Sequence, residues 1–271
     1  MDPVADLRTF RGLIIDGDGV LWLGTTALPG LQEFFGLLRR RALPFVIATN
    51  NATTSPRNVQ EKLSGFGVLV DEAEVLTSSE ATAGLLRQRL GAGAKVLPIG
   101  ERGLVDSLRL AGFTLVDKAD GAQAVVAALD RGLTYERLME ASLAIEAGAL
   151  FVATNPDVTY PVERGLAPGS GAILAALEAT TGIKPLVVGK PEPHLFRQAL
   201  QRLGTRPEET LGIGDRIETD VVGARRAGIG SALVLTGVTR PESLAASPIQ
   251  PDWVFQDLRD LTAALDLPRD A

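Results

Sequence analysis

The sequence contains no cysteine and only one histidine, His194, among its 271 residues. Without cysteine there is no disulfide framework, no cysteine nucleophile, no iron–sulfur cluster and no thiolate zinc site. A single histidine likewise excludes metal sites that need several imidazole ligands. A hard cation held by carboxylate oxygens remains. The missing residue types therefore leave aspartate, lysine and hydroxyl groups as the carriers of any chemistry.

The sequence also lacks an excess of positive charge and a long apolar segment. It has 27 Lys and Arg against 33 Asp and Glu, a net charge of −6, whereas nucleic-acid binding needs clustered cations. No stretch approaches the roughly 18 uncharged apolar residues of a membrane span. The beginning, MDPVADLRTF, has early acids instead of a basic segment before an apolar core, so we predict no signal peptide. We expect a cytoplasmic protein that binds neither nucleic acid nor membrane.

Short apolar runs alternate with amphipathic segments, which predicts an α/β fold with a parallel sheet. The spacing of apolar residues from Leu31 to Leu38 predicts a helix, and Ser55 before Pro56 predicts the start of another. The stretch 241–251 is interpreted as a surface connection. Strands are predicted at 13–15, 44–48, 95–99, 124–127, 150–153, 186–188, 211–214, 232–235 and 253–255.

Four polar clusters come directly after predicted strands. They are Asp16-Gly17-Asp18-Gly19-Val20, Thr49-Asn50-Asn51, Gly189-Lys190-Pro191, and Gly214-Asp215-Arg216 with Asp220. In open parallel sheets, ligands bind at the carboxyl ends of the strands. We therefore expect the clusters to form one site.

The first cluster has two carboxylates two residues apart. Its glycines allow the chain to turn, so both groups can address one site. Asp16 could then act as nucleophile and metal ligand, and Asp18 as proton donor. The alternative is an ordinary solvated Asp-Gly turn, and this segment alone does not decide between them.

The other clusters supply complementary groups. Asp215 at a strand end suits Mg²⁺, whereas Asp220 alone is typical of a helix N-cap. Lys190 suits a phosphoryl oxygen, although taken singly it is equally a solvated loop lysine. The hydroxyl of Thr49 could donate to the same anion. Together these groups form the set that phosphoryl transfer through an aspartyl phosphate needs.

The order DGDGV, TNN, GKP and GDRIETD resembles the haloacid dehalogenase-like (HAD) hydrolases over about residues 12–254. ATNPD at 153–157 and the following PGSGAILAALEATTG are similar to subclass IIA, the p-nitrophenyl, phosphoglycolate and pyridoxal phosphatase-like enzymes. The resemblance implies a Rossmann-like core at 1–78 and 184–271, with a C2-type α/β cap inserted at 79–183. Gly17 stands where relatives often have a larger residue. Since that position contributes mainly backbone, we expect activity to be retained.

The resemblance also implies the roles of the two leading carboxylates. Asp16 would be the nucleophile and a Mg²⁺ ligand. Asp18 would protonate the leaving oxygen and then activate the water that cleaves the aspartyl phosphate, with its backbone carbonyl on the metal.

The same resemblance assigns the remaining site residues. Thr49 and Lys190 would hold the phosphoryl oxygens, with Asn50 nearby. Asp215 would bind Mg²⁺, and Asp220 would support the metal site or Lys190.

The expected function is a Mg²⁺-dependent phosphatase of small phosphorylated metabolites. Candidate substrates implied by the resemblance are phosphoglycolate, pyridoxal phosphate, glycerol phosphate, nucleoside monophosphates and sugar phosphates. The cap would supply most specificity contacts, and the resemblance further implies a homodimer through the cap.

Three alternatives stay open. A phosphomutase would need a cap that retains its phosphorylated product. A dehalogenase on the same scaffold needs neither Asp18 nor Asp215. A phospho-accepting signalling module is much shorter and has no use for Asp18. The role of Trp22 is undecided between packing and lining a cap interface, and His194 is interpreted as a structural residue at a helix start.

Overall fold

The computed structural model describes residues 7–162 and 164–266. Residues 1–6, on which the signal-peptide prediction partly depends, lie outside the described residues. The chain divides into two compact units. The first consists of the chain up to Thr49, Pro56–Leu76, and the chain from Lys190 onward; the second consists of Asn50–Ser55 and Thr77–Gly189. The predicted insertion, 79–183, lies inside the longer segment of the second unit. Its role as a cap stays a prediction.

The elements alternate as expected for an α/β chain. In chain order the strands are β1 (Gly12–Ile15), β2 (Trp22–Leu23), β3 (Thr26–Ala27), β4 (Phe45–Thr49), β5 (Val75–Thr77), β6 (Lys95–Ile99), β7 (Thr114–Leu115), β8 (Ala124–Ala127), β9 (Leu150–Ala153), β10 (Thr159–Val162), β11 (Gly165–Pro168), β12 (Leu186–Val187), β13 (Thr210–Gly214), β14 (Gly230–Val234) and β15 (Trp253–Phe255). The helices are α1 (Leu31–Arg40), α2 (Pro56–Gly65), α3 (Ser78–Leu90), α4 (Arg102–Leu110), α5 (Tyr135–Glu146), α6 (Ser170–Thr181), α7 (Pro193–Leu203), α8 (Val222–Ala227), α9 (Pro241–Ala246) and α10 (Leu258–Asp266).

The first unit is built on a six-stranded sheet of order β15-β14-β13-β1-β4-β5. β1 is parallel to both of its neighbours, with Ile15 beside Ile213 of β13 and Ile47 of β4. Every residue of these three strands is buried, as expected for parallel strands covered on both faces. Phe34 and Leu38 of α1 pack into the same core. The central strands therefore place their carboxyl ends side by side.

The second unit has its own sheet and core. Its five strands run in the order β12-β9-β8-β6-β7, and all neighbouring pairs are parallel. The core includes Ile99, Phe151 and Leu177. The hairpin of β10 and β11 is antiparallel. Both units thus confirm the predicted α/β class.

Two features differ from the sequence-based expectation or extend it. The stretch 241–251, predicted as a connection, contains the short helix α9, which begins with Pro241 at its first position. The chain from Ile217 to Val221 forms a π-helical turn ahead of α8.

Across residues 7–162 and 164–266, no helix combines the length and apolar character that crossing a bilayer requires.

Candidate active site

The carboxyl ends of β1 and β13 bring Asp16 and Asp215 together. Each residue directly follows its strand, and the Asp16 amide donates to the carbonyl of Ile213 at 2.8 Å. Thr49 is the last residue of β4, the other neighbour of β1, and is buried. The parallel register therefore places three of the predicted residues at one edge of the sheet.

A buried lysine links two of the carboxylates. Lys190, only 3% exposed, donates from Nζ to Oδ1 of Asp16 at 2.5 Å and to Oδ1 of Asp220 at 2.7 Å. Asp220 lies in the π-helical turn, and its Oδ2 accepts from the Arg216 amide at 3.1 Å and the Thr219 hydroxyl at 3.3 Å. Asp220 thus both closes its own turn and fixes Lys190.

Asp215 is held by the loop that follows β14. Its Oδ2 accepts from the Val238 amide at 2.6 Å, and its carbonyl accepts from the Thr239 amide at 3.1 Å. A Cβ added to Gly237 would lie 1.9 Å from that Oδ2, and one added to Gly19 would lie 2.4 Å from it. Only glycine lets both backbone segments approach the carboxylate this closely.

Asp18 points to a different partner. Its exposed side chain accepts at Oδ1 from the indole Nε1 of Trp22 at 2.8 Å. A Cβ on Gly17 would lie 2.6 Å from the Trp22 ring. The Trp22 ring therefore leaves no room at position 17 for the larger residue that relatives often have, whereas glycine fits.

The remaining predicted residues are placed as follows. Asn50 belongs to the second unit, where its carbonyl accepts from the Ser78 hydroxyl and the Asn155 amide, both at 2.8 Å. Its side chain donates to Asp157 at 3.4 Å. His194 is the second residue of α7, in agreement with the predicted helix start.

Burial and mutual repulsion disturb the ionisation of the carboxylates. Burial, with the charges of Asp220 and Asp215, raises the pKa of Asp16 well above its usual range, while Lys190 opposes the rise. Burial and the Asp220 charge raise the pKa of Asp215 to about 6. Burial disfavours the Lys190 ammonium, but Asp16 and Asp220 more than offset it and raise the pKa of Lys190. The site therefore carries more negative charge than one ammonium neutralises.

These carboxylates fit a hard divalent cation. Asp16, Asp215 and Asp220 each offer one oxygen, and these oxygens lie within 4.8 Å of one another. Oxygen donors of this kind suit Mg²⁺, and a cation would relieve the excess negative charge. Because both Asp220 oxygens already accept hydrogen bonds, Asp16 and Asp215 are the better ligands.

Sequence reasoning missed two residues around this site, Gly237 and Val238, and one contact, the hydrogen bond from Trp22 to Asp18. The only available signal was positional. The loop after β14 follows a strand next to β13, so its residues belong to the same sheet edge. Glycine and valine in a loop have no chemistry of their own to draw attention to them.

Comparison with known proteins identifies the family and the fold. A family model described as haloacid dehalogenase-like hydrolase matches residues 13–114, and a HAD-hydrolase-like model matches residues 187–261. A 5′-nucleotidase of Bacillus subtilis is 37% identical over 254 residues, covering 94% of this chain and 98% of the relative.

Two solved structures are also similar to this chain over most of its length. A p-nitrophenyl phosphatase from Archaeoglobus fulgidus has 38% identity and a TM-score of 0.90, covering 94% of this chain and 99% of the other. A glycerol phosphate phosphatase from Mycobacterium tuberculosis, in complex with magnesium, has 38% identity and a TM-score of 0.87, covering 93% and 77%.

The sheet order, the four motifs and these similarities together define the class: the chain belongs to the haloacid dehalogenase-like hydrolase family. Its relatives over nearly the whole length are phosphatases. Within the family, this chain is an enzyme of the phosphatase type, as the sequence predicted.

Proposed function

We propose that the protein hydrolyses phosphate monoesters of small metabolites through an aspartyl phosphate on Asp16, with Mg²⁺ as cofactor. One observation carries this proposal: a buried lysine touches the carboxylates of Asp16 and Asp220 beside Asp215, at the carboxyl ends of β1 and β13. A solvated turn or a helix cap gives no reason to bury Lys190, Asp215 and Asp220 beside the half-buried Asp16, because burying charged groups is costly.

In the first step, a carboxylate oxygen of Asp16 attacks phosphorus and forms a new P–O bond. The ester P–O bond breaks, and its oxygen takes a proton from the Asp18 carboxyl group. In the second step, the Asp18 carboxylate takes a proton from water, and the water oxygen attacks phosphorus. Phosphate leaves and the Asp16 carboxylate is restored.

Lys190 and Thr49 would bind the phosphoryl oxygens, with Asn50 following Thr49 in the chain. Lys190 supplies a fixed positive charge, since Asp220 holds its ammonium at 2.7 Å. Asp220 is therefore a positioning residue for Lys190.

The carboxylates of Asp16 and Asp215, with the backbone carbonyl of Asp18, would hold Mg²⁺. When bound there, Mg²⁺ would neutralise charge on the phosphoryl oxygens.

The substrate class rests on what the relatives have in common. Their names specify a nucleotide, p-nitrophenyl phosphate and glycerol phosphate, which share a phosphate monoester and little else. Small phosphorylated metabolites are thus the proposed class, and the second unit is proposed to be the specificity cap. The homodimer and the cytoplasmic location stay predictions of the sequence.

The alternatives fit less well. Carbon–halogen displacement needs no metal carboxylate, yet Asp215 is held in place by the 236–239 loop. A phospho-accepting module needs no proton donor at Asp18. A phosphomutase uses the same groups, and product analysis separates it from a phosphatase.

The test measures phosphate release from a panel of small phosphate esters with Mg²⁺ or excess chelator. We expect metal-dependent release by the native protein, and loss of at least about 10³-fold in Asp16→Asn, since the nucleophile is gone. Asp106→Asn is the matched control, because that carboxylate pairs with Arg102 on α4, in the other unit.

Wild-type-like turnover by Asp16→Asn would show that Asp16 is not the nucleophile. Unchanged rates in excess chelator would show that the reaction does not depend on Mg²⁺. Transfer of the phosphoryl group within the substrate, without free phosphate, would establish the mutase instead.

A further inference from the structure

The buried indole of Trp22 takes its hydrogen-bond partner from a proposed catalytic carboxylate, Asp18. The side chain is 3% exposed, and its indole Nε1 donates to Asp18 Oδ1 at 2.8 Å. Asp18 itself is exposed. An exposed carboxylate on a glycine-flanked turn has several rotamers available, and this hydrogen bond selects one of them.

The indole is fixed from two sides. A Cβ on Gly17 would lie 2.6 and 2.8 Å from two atoms of its six-membered ring, so the backbone lies directly against that ring. The Lys62 ammonium of α2 lies 4.3 Å from the ring centroid. The Trp22 carbonyl also accepts from the Gly19 amide at 2.8 Å, and the Leu21 amide donates to the Gly17 carbonyl at 2.8 Å, which closes the turn that contains Asp18.

Lys62 adds charge to this arrangement. Partial burial lowers the pKa of Lys62, and the Asp18 charge offsets only part of that change. A cation over an indole face is attracted by the ring quadrupole. It also draws electron density from the ring, which strengthens the N–H group as a donor.

We propose that Trp22 is a positioning residue that holds Asp18 for proton transfer, with Gly17 making room for the indole and Lys62 strengthening its hydrogen bond. This inference rests on the proposed role of Asp18 as acid and base. It assigns different tasks to the two oxygens of Asp18.

The assignment follows from the donor chemistry. An indole N–H only donates, so Oδ1 is committed as an acceptor. Oδ2 is then the oxygen that we assign to proton exchange. In the first step of the proposed mechanism, a proton passes from Oδ2 to the leaving ester oxygen as its bond to phosphorus breaks; in the second, Oδ2 takes a proton from water. The hydrogen bond of Oδ1 to Trp22 persists through both steps.

The leaving group provides the decisive measurement. Expulsion of an alkoxide from glycerol 3-phosphate needs a proton, whereas p-nitrophenolate leaves without one. General acid catalysis contributes about 10²- to 10⁴-fold. In Trp22→Phe we expect kcat/KM for glycerol 3-phosphate to fall about 10- to 100-fold, mainly in kcat, and that for p-nitrophenyl phosphate to fall less than about 3-fold.

The other tryptophan gives a matched control. Trp253 is the second of two tryptophans, it lies in the same unit, and its buried Nε1 has no hydrogen-bond partner among the described residues. Trp253→Phe should leave the ratio of the two kcat/KM values unchanged. Lys62→Met keeps the aliphatic stem. It should lower the ratio of kcat/KM for glycerol 3-phosphate to kcat/KM for p-nitrophenyl phosphate about 2- to 5-fold.

A second measurement does not depend on the stability of Trp22→Phe. With two tryptophans, the ¹⁵N–¹H spectrum shows two indole resonances, and Trp253→Phe assigns them. In Asp18→Ala we expect the Trp22 indole resonance to move and the Trp253 resonance to stay. An unmoved Trp22 resonance would overturn the proposal.

Asp18→Ala also separates this inference from the function on which it rests. Loss of glycerol 3-phosphate hydrolysis in Asp18→Ala, with an unchanged substrate ratio in Trp22→Phe, would disprove the positioning role alone. Full glycerol 3-phosphate hydrolysis by Asp18→Ala would disprove the acid/base role itself.

Discussion

Asp215 owes its orientation to backbone rather than to a neighbouring side chain. The Val238 amide donates to its Oδ2, and the backbone at Gly19 and Gly237 lies directly beside the carboxylate. The Val238 amide fixes one oxygen of Asp215, and the backbone at both glycines limits how far the carboxylate can move. Crowding by backbone therefore sets the orientation of this proposed Mg²⁺ ligand.

Gly237→Ala tests this crowding. The new Cβ would lie 1.9 Å from Asp215 Oδ2, so either the loop or the carboxylate must move. We expect the concentration of Mg²⁺ for half-maximal activity to rise about tenfold or more, and stability to fall by about 1–3 kcal/mol. A metal titration of phosphate release and a denaturant melt measure the two effects.

Gly65→Ala is the control for this substitution. Gly65 is the last residue of α2, and an added Cβ meets nothing within 4 Å. Its metal dependence should match that of the native protein. If Gly237→Ala behaves like Gly65→Ala, backbone crowding does not orient Asp215.

What the sequence reveals at the residue scale depends on chemistry. Asp16, Lys190 and Asp215 could be selected because charged groups after apolar strands are conspicuous. Trp22 could be noticed but not interpreted, since its hydrogen bond depends on a turn geometry that the letters do not contain. Gly237 gave no chemical signal, because a loop glycine is usually explained by the turn it occupies.

At the scale of elements, α1 packs through its apolar face, which the spacing of apolar residues from Leu31 to Leu38 predicts. Phe34 is fully buried, and its neighbour Phe35 makes edge-on contacts with Phe34 at 5.7 Å and with Phe45 of β4 at 5.0 Å between ring centroids. Such aromatic pairs stabilise beyond their buried area. The helix thereby braces β4, the strand that ends in Thr49.

Phe34→Ala should cost about 3–5 kcal/mol of unfolding free energy, because it removes a buried ring from a core with no space to collapse. Chemical denaturation measures this loss. Glu33→Ala, one position earlier on the exposed side of α1, should change stability by less than about 0.5 kcal/mol. Equal effects of both substitutions would contradict the packing of this helix.

The elements that the sequence did not reveal are short. The strands β2 and β3 have two residues each, too few for a pattern to register, and β11 is mostly exposed, so it has no buried apolar run. The π-helical turn at 217–221 depends on the tertiary contacts of Asp220 with Lys190 and Arg216. The central strands and the longer helices were predictable because burial leaves an apolar run in a parallel strand and a periodic apolar face on a helix.

At the scale of the whole molecule, two units with separate sheets and cores share one chain that passes between them four times. The clustered acidic groups Asp16, Asp215 and Asp220 all lie in the first unit. Their ionisation is therefore linked to the stability of that unit and to the proposed binding of Mg²⁺ there. The sign of this linkage follows from the pKa of Asp215.

In the unfolded chain Asp215 has an ordinary pKa near 3.8, and folding raises it to about 6. The folded protein thus holds this proton more tightly. Without metal, stability falls as pH rises from about 4 to about 6, by roughly 3 kcal/mol at about 1.4 kcal/mol per pKa unit. The raised pKa of Asp16 acts in the same direction. Mg²⁺ binds the ionised carboxylates, so its stabilising effect should grow with pH.

Thermal melts at pH 5 and pH 7.5, with and without Mg²⁺, test this linkage. We expect a rise in Tm with Mg²⁺ that is several degrees larger at pH 7.5 than at pH 5. Metal-free Asp215→Asn should be more stable than the native protein at pH 7.5, since a neutral amide replaces a buried charge, and it should respond little to Mg²⁺. An equal Mg²⁺ effect at both pH values, or a full response in Asp215→Asn, would show that the cation does not bind at these carboxylates. The acidic charge that Lys190 does not neutralise would then have no compensating partner, and the clustering of these three carboxylates would need another cause.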